Sequence, residues 1–263
     1  MDLGLTGKRA FISGSTQGIG FAVAAELARA GAAVVINGRD EHRLLAAIDA
    51  LATIAPEADV TGIAADFADA DQVQRLVDQL GEIDILINNV GIFALQDFAT
   101  IPDAEWQRYF DINVMSGVRL SRHALAGMLA RDWGRIIFIS SESGISVPAD
   151  MTHYGMTKAA MIAVANGLAK TTRGSRVTVN SVIGGPTFSD GVAQTVEQIA
   201  LAQRIDAAEL ASTIAAGNTT SLLQRFIEPT EIADMVAYLA STRASATNGA
   251  ALRADGGTLT TTL

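Results

Sequence analysis

At 263 residues, 49% apolar and only 18% charged, the chain is sized for one large α/β domain or two small ones, and it is too apolar to be disordered. A net charge of −9, with no basic stripe and no basic amphipathic helix, argues against nucleic acid or a membrane surface as a partner. The absence of cysteine excludes disulfides and thiolate chemistry, and the three histidines, His42, His123 and His153, lack metal-ligand spacing, so no metal is expected.

The start, Met1-Asp2-Leu3-Gly4-Leu5, has no basic region followed by an apolar core, and no apolar run reaches the ~18 residues of a spanning helix. The expected location is therefore cytoplasmic. Short β-rich runs then alternate with longer Ala/Leu-rich helical patterns, the signature of βαβ units and a parallel sheet. Strands are predicted near 9–13, 33–36, 60–64, 85–87, 135–139, 176–180 and 250–253. Helices are predicted for 21–30, 41–51, 72–80, 106–129, 158–171 and 230–239. No linker, repeat or low-complexity tract interrupts them, so one domain over 1–263 is expected, with a variable segment at about 188–222.

The first strand runs into Ser13-Gly14-Ser15-Thr16-Gln17-Gly18-Ile19-Gly20 and then a helix. Strand, glycine turn and helix are what a pyrophosphate site requires: glycines let the backbone approach, and the helix start offers free N–H groups and a positive dipole end. The spacing is G-x-x-x-G-x-G and not the general dinucleotide fingerprint, and a tight turn with no ligand is the alternative. The second strand ends at Ile36-Asn37-Gly38-Arg39-Asp40, where the adenosine ribose should lie. An acid there would bind the 2′-hydroxyl, and an arginine a 2′-phosphate. Asp40, just before Glu41-His42-Arg43, reads as a helix N-cap, which leaves Arg39 as the reader and favours NADP(H), with NAD(H) also open. Asp66 and Phe67 follow the third strand, where a side chain either bonds adenine or caps the next helix. Asn88-Asn89-Val90-Gly91 follows the fourth, with amides that satisfy backbone or line a site.

Further on, Tyr154-Gly155-Met156-Thr157-Lys158 puts a phenol and an ammonium four residues apart on one helix face, a way to favour the ionised phenol. Taken alone, the spacing is equally that of a solvated surface pair. In combination, the glycine turn, the Asn-Asn-x-Gly stretch and Y-x-x-x-K have the order and spacing of one family. From Leu5-Thr6-Gly7-Lys8 to Asp255-Gly256-Gly257 the sequence resembles the short-chain dehydrogenases/reductases. The resemblance implies a single-domain Rossmann-like three-layer sandwich with a seven-stranded parallel sheet. It also implies NAD(H) or NADP(H), hydride transfer between an alcohol and a carbonyl, and a homotetramer.

By the same resemblance Asn113, Ser141, Tyr154 and Lys158 are the catalytic group. Asn113 would hold a water in a proton relay, and by its residue type alone it is a buried Asn bonding backbone. Cofactor contacts are implied for Gly14, Ser15, Gln17, Gly18, Ile19, Gly20, Arg39, Asp66, Phe67, Asn89, Gly91, Tyr154, Lys158, Gly185, Thr187 and Ser189. Departures stand out. Ser13 replaces the usual Thr, Val90 replaces Ala and is expected to crowd the nicotinamide side, and Gly184 replaces a proline, which should loosen the loop after the sixth strand. Glu142, beside the active serine, is expected to point to solvent.

Substrate contacts are expected from Ser143, Met151 and Phe188, within a set that includes Val90, Phe93, Leu95 and Ile145. This mostly apolar set suggests a neutral or hydrophobic carbonyl compound, although such residues are also ordinary core. His153 reads as an exposed histidine at a helix start, with a substrate contact as the alternative. The competing functions are an NAD-preferring secondary-alcohol dehydrogenase and a nucleotide-binding regulator that has lost its chemistry.

Overall fold

The computed structural model describes residues 2–262; Met1 and Leu263, the ends of the expected domain, lie outside them. Seven strands, β1 (Arg9–Ile12), β2 (Ala33–Gly38), β3 (Val60–Ala64), β4 (Ile85–Asn88), β5 (Gly134–Ser141), β6 (Val177–Gly184) and β7 (Ala251–Ala254), form one sheet in the order β3-β2-β1-β4-β5-β6-β7. Every pairing is parallel. The five inner strands β2, β1, β4, β5 and β6 are almost fully buried and rich in Ile and Val, as a sheet covered on both faces demands.

One face packs against α1 (Gly18–Arg29), α2 (Glu41–Ile54) and α9 (Pro229–Ala240), with Val23, Leu27, Leu44, Ile232 and Val236 in the core. The other packs against α3 (Ala70–Leu80), α5 (Met115–Ala130) and α6 (Thr152–Lys170), with Phe11, Leu76, Leu120, Phe138 and Met161. This is the expected single-domain Rossmann-like three-layer sandwich. The chain leaves β1 toward β2 and β3 and then returns to place β4 on the other side of β1. The resulting switch point opens a crevice at the carboxyl ends of those strands.

Two expectations change. The helix predicted over 106–129 is broken into α4 (Asp103–Tyr109), a π-helical turn over Phe110–Val114, and α5. The turn buries Ile112, Asn113 and Val114, and a widened turn of this kind is a common device at functional sites. Gly184 does not loosen a loop. It ends β6, fully buried, with Ser141 and Ala254 as its neighbours in register.

The segment 188–222 is itself ordered by α7 (Asp190–Gln203) and α8 (Ala207–Gly217). Ser189 caps the first, its Oγ accepting from the Val192 N–H, and Asp206 caps the second through Ala208 and Glu209. Among the described residues no helix is long and apolar enough to cross a membrane.

Candidate active site

The glycine turn is held from below by hydroxyls and amides. Ser13 Oγ donates to the Ile87 carbonyl and accepts from the N–H groups of Asn89 and Val90, so the Ser that replaces Thr still ties β1 to the end of β4. The Asn89 amide donates to the carbonyls of Ser13 and Gly14. Asn37, passed over in the sequence, is the other anchor. Its Oδ1 accepts from the Gly14 N–H at 3.1 Å, its Nδ2 donates to the Ile63 carbonyl at 2.9 Å, and its own N–H bonds Ser15 Oγ. An Asn at the end of an otherwise apolar buried strand was the available signal.

Gly14 and Gly18 have φ of 63° and 60°, and a Cβ on Gly20 would stand 2.4 Å from the Gly14 oxygen. Ile19 follows Gly18 into the first turn of α1. Val90 places a methyl against the turn, 3.1 Å from where a Gly14 Cβ would be.

Above this turn lies a cavity of about 510 Å³. Its lining includes Gly14, Gln17, Arg39, Asp66, Phe67, Asn89, Val90 and Gly91. Asp40 is the N-cap expected of it: its side chain accepts from the Arg43 N–H at 2.9 Å, and that bond holds its carboxyl below the usual range. Arg39 is exposed at the rim. Arg43, one turn into α2, also lines the cavity and reaches Gln17 Oε1 at 3.4 Å, so the rim carries a second cation missed in the sequence. Asp66 does not cap the next helix. Its Oδ1 closes a local turn on the Ala68 N–H, and Asp69 caps α3.

A cradle that only glycines fit and a helix start suit the pyrophosphate of a dinucleotide, with two arginines at the rim. One group already sits on that helix start: Asp190 accepts from the Gly18 N–H at 2.6 Å. On the same side, Gly185 is pressed against Asp255, whose backbone oxygen would lie 2.5 Å from an added Cβ. Thr187 Oγ1 donates to the Gly185 carbonyl, and the Thr187 carbonyl accepts from Ser189.

Beyond the cavity, β5 and α6 bring the predicted catalytic side chains together. Ser140 Oγ donates to the Lys158 carbonyl at 2.9 Å, locking strand to helix, which leaves Ser141 as the serine that faces Tyr154. Lys158 is 5% exposed, and its Nζ donates to the Ile139 carbonyl at 2.9 Å, 3.4 Å from the position of a Gly91 Cβ. The Asn113 amide clamps Ile92, accepting from its N–H at 2.8 Å and donating to its carbonyl at 3.0 Å, and also donates to Thr157 Oγ1 at 2.9 Å. Thr157 in turn donates to the Tyr154 carbonyl. The fully buried side chain of Asn113 is thus a bracket between the β4 loop and α6.

Burial raises the Tyr154 phenol above its ordinary value, and the Glu142 charge adds to the rise; the neighbouring Ser141 hydroxyl opposes both. Burial brings Lys158 down to about 8, with Glu142 opposing.

Two residues stand elsewhere than expected. Glu142 does not point to solvent. Its Oε2 accepts from Ser141 Oγ at 2.6 Å and its Oε1 from Ser143 Oγ at 3.3 Å, while the Ser143 N–H donates to Ser141 Oγ. Burial raises its carboxyl, and the Ser141 bond only partly offsets this. The turn is forced inward because Gly144 lies against the α6 backbone, where a Cβ would meet Ala159 N at 2.8 Å. His153 is 0% exposed, not a surface histidine, and its ring lies 4.0 Å from that of Tyr109. Of the substrate candidates, Phe93 meets Tyr154 edge-on at 6.1 Å, Phe188 packs on Phe226 at 5.4 Å, and Met151 is half-buried at the N-cap of α6.

Comparison with known proteins agrees with this geometry. The short chain dehydrogenase family model matches residues 8–200. The oxidoreductase YvaG of Bacillus subtilis (strain 168) is 43% identical over 98% of both chains. The D-beta-hydroxybutyrate dehydrogenase of Cupriavidus necator is 30% identical over 96% of this chain and 98% of its own. The structure of L-sorbose reductase from Gluconobacter frateurii, complexed with NADPH and L-sorbose, superposes with a TM-score of 0.93 at 31% identity, covering 99% of this chain and 100% of that one. The chain belongs to the short-chain dehydrogenase/reductase family, as an NAD(P)-dependent oxidoreductase acting on CH–OH groups.

Proposed function

We propose that this enzyme interconverts a neutral ketone and its secondary alcohol with NADP(H) as the preferred coenzyme, using Ser141, Tyr154, Lys158 and Asn113. The observation that carries the reading is the convergence of a half-buried Tyr154, Ser141 and the nearly buried ammonium of Lys158 beside a glycine-lined cavity. Arg39 and Arg43 at the rim support the phosphate-bearing coenzyme, as does the NADPH bound to the L-sorbose reductase. Phe93 and Phe188 support a neutral, partly apolar substrate, with 188–222 as its covering lobe.

The coenzyme supplies the hydride exchanged with the carbonyl carbon. In reduction, Ser141 and Tyr154 hydrogen-bond the carbonyl oxygen, and Tyr154 gives it the phenolic proton. The positive charge of Lys158 stabilises the phenolate left behind, and Lys158 would hold the nicotinamide ribose of the bound coenzyme. Asn113 fixes the β4 loop against α6 and would relay the replacement proton through a water. In oxidation Tyr154 acts as the base.

Tyr154→Phe tests this directly. Turnover should drop by roughly 10²–10⁴-fold with coenzyme affinity nearly unchanged. A variant that still turns over would remove Tyr154 from the mechanism. The open edge at β7 and the 41% exposed Tyr238 on α9 support a homo-oligomer, a tetramer by family habit, to be measured by light scattering. A cytoplasmic location is part of the same proposal, checked by fractionation.

A further inference from the structure

Glu142 is an expensive residue where it stands. A half-buried carboxylate costs free energy unless a cation or several donors meet it. No ion pair to Glu142 exists among the described residues, because Lys158 directs its Nζ to the Ile139 carbonyl instead. Its partners are the local turn and two serine hydroxyls, of which Ser141 is the closer at 2.6 Å.

That contact also has a cost for the chemistry. A serine has one hydroxyl hydrogen, and Ser141 spends it on Glu142 while its oxygen accepts from the Ser143 N–H. In this state Ser141 has no hydrogen for the substrate carbonyl.

We infer that Glu142 is a specificity-determining residue that selects a ketone bearing a hydroxyl on the carbon next to the carbonyl. The inference rests on the proposed reductase reading and narrows its substrate. A carbonyl oxygen bonded to Ser141 would sit ~2.7 Å from Oγ, which brings the adjacent carbon's substituent alongside the carboxylate. A hydroxyl there donates to Glu142, replaces Ser141 as its partner, and lets the Ser141 hydrogen turn to the carbonyl. A plain ketone cannot make that exchange. An anionic keto acid meets repulsion from Glu142, and an aminoketone cation, although attracted to Glu142, must give up its hydration beside the buried positive charge of Lys158. The neutral hydroxyketone fits both.

The test compares 2-butanone, 1-hydroxy-2-butanone, 1-amino-2-butanone and 3-oxobutanoate with the wild type, Glu142→Gln and Glu142→Ala. The wild type should prefer the hydroxyketone over 2-butanone by ~10- to 100-fold in kcat/KM, largely in kcat, as loss of a charge-assisted hydrogen bond predicts. In Glu142→Ala that preference should collapse, with 2-butanone and 3-oxobutanoate improving as Ser141 is released. Glu142→Gln should keep part of it, since its amide oxygen still accepts. Equal preference in wild type and Glu142→Ala, or a wild-type preference for the amine or the acid, overturns the inference.

Binding of the corresponding alcohols to the NADP⁺-loaded enzyme, by calorimetry, is measured in parallel. If nothing turns over, the reductase reading fails on its own. A Glu142-dependent preference for 1,2-butanediol over 2-butanol would still support the role of Glu142, and equal binding of the two would sink it.

Discussion

Lys158 lies on the same face of α6 as Tyr154, its Nζ 5.5 Å from the centre of the phenol ring. The two are not a surface pair, since burial pushes the phenol up and the ammonium down, to about 8. The charge that must stabilise a phenolate is therefore present below pH 8 and lost above it. The rate of reduction should fall by about tenfold per pH unit beyond that point. Because the charge on Glu142 raises Lys158, Glu142→Gln should move the falling limb to lower pH. A profile that stays level through pH 9 would show that Lys158 does not set it.

The same burial makes Lys158 a cost to the fold. Its pKa falls from 10.5 unfolded to about 8 folded, so the penalty is fully present below pH 8 and fades as pH rises toward 10.5. Lys158→Met should abolish activity yet raise Tm by roughly 2–8 °C at pH 7, with the gain shrinking between pH 8 and 10.5. Thermal scans across that range decide it; a lower Tm at pH 7 would mean that the bond to the Ile139 carbonyl outweighs desolvation.

At the rim, Arg39 and Arg43 make a claim about coenzyme choice. Arg39→Ala and Arg43→Ala should each weaken NADPH by roughly 5- to 100-fold and leave NADH within about twofold, since only NADPH carries the ribose 2′-phosphate. Fluorescence titration at two salt concentrations measures both coenzymes. Equal losses for NADH and NADPH would move the arginines away from the phosphate.

Asp190 competes with the coenzyme for the start of α1, its carboxylate bonded to the Gly18 N–H. A pyrophosphate needs the same positive helix end and is repelled by a carboxylate beside it. Asp190→Asn should tighten both NADH and NADPH by roughly 2- to 10-fold. Unchanged affinity for both would mean that the carboxylate swings clear at no cost.

Most of the frame was legible because a parallel sheet writes itself in Ile/Val runs and its crevice in glycines. The strands, the glycine turn and the capping role of Asp40 were readable in this way. What escaped depends on contacts distant in sequence. The break in the 106–129 helix comes from burying Asn113 against Ile92 and Thr157, which no local propensity encodes. Glu142 was read as solvent-facing because charge favours water; its inward path follows from Gly144 against the α6 backbone. The second cation, Arg43, was hidden by its helical position. Only α2 docking beside the glycine turn brings it to Gln17. The helices α7 and α8 were not predicted, although Ser189 and the pair Asp206 and Glu209, three residues apart, carried their capping signals.

His153 carries the last prediction. Its ring stacks 4.0 Å from Tyr109 and 6.1 Å from Trp106, and neither ring nitrogen has a hydrogen-bond partner among the described residues. Burial holds its pKa below 6.5, with only Glu105 opposing. The unfolded chain therefore takes up a proton near pH 6.5 that the folded chain refuses, so stability contributed by neutral His153 is lost as pH falls through that value. The loss approaches about 1.4 kcal/mol per pH unit until the folded ring also protonates. His153→Leu keeps an apolar side chain against Tyr109 and removes the proton uptake. Its Tm should decline less steeply than that of the wild type between pH 7 and 5. Parallel curves for the two proteins would show that His153 takes up its proton inside the fold as readily as in the unfolded chain.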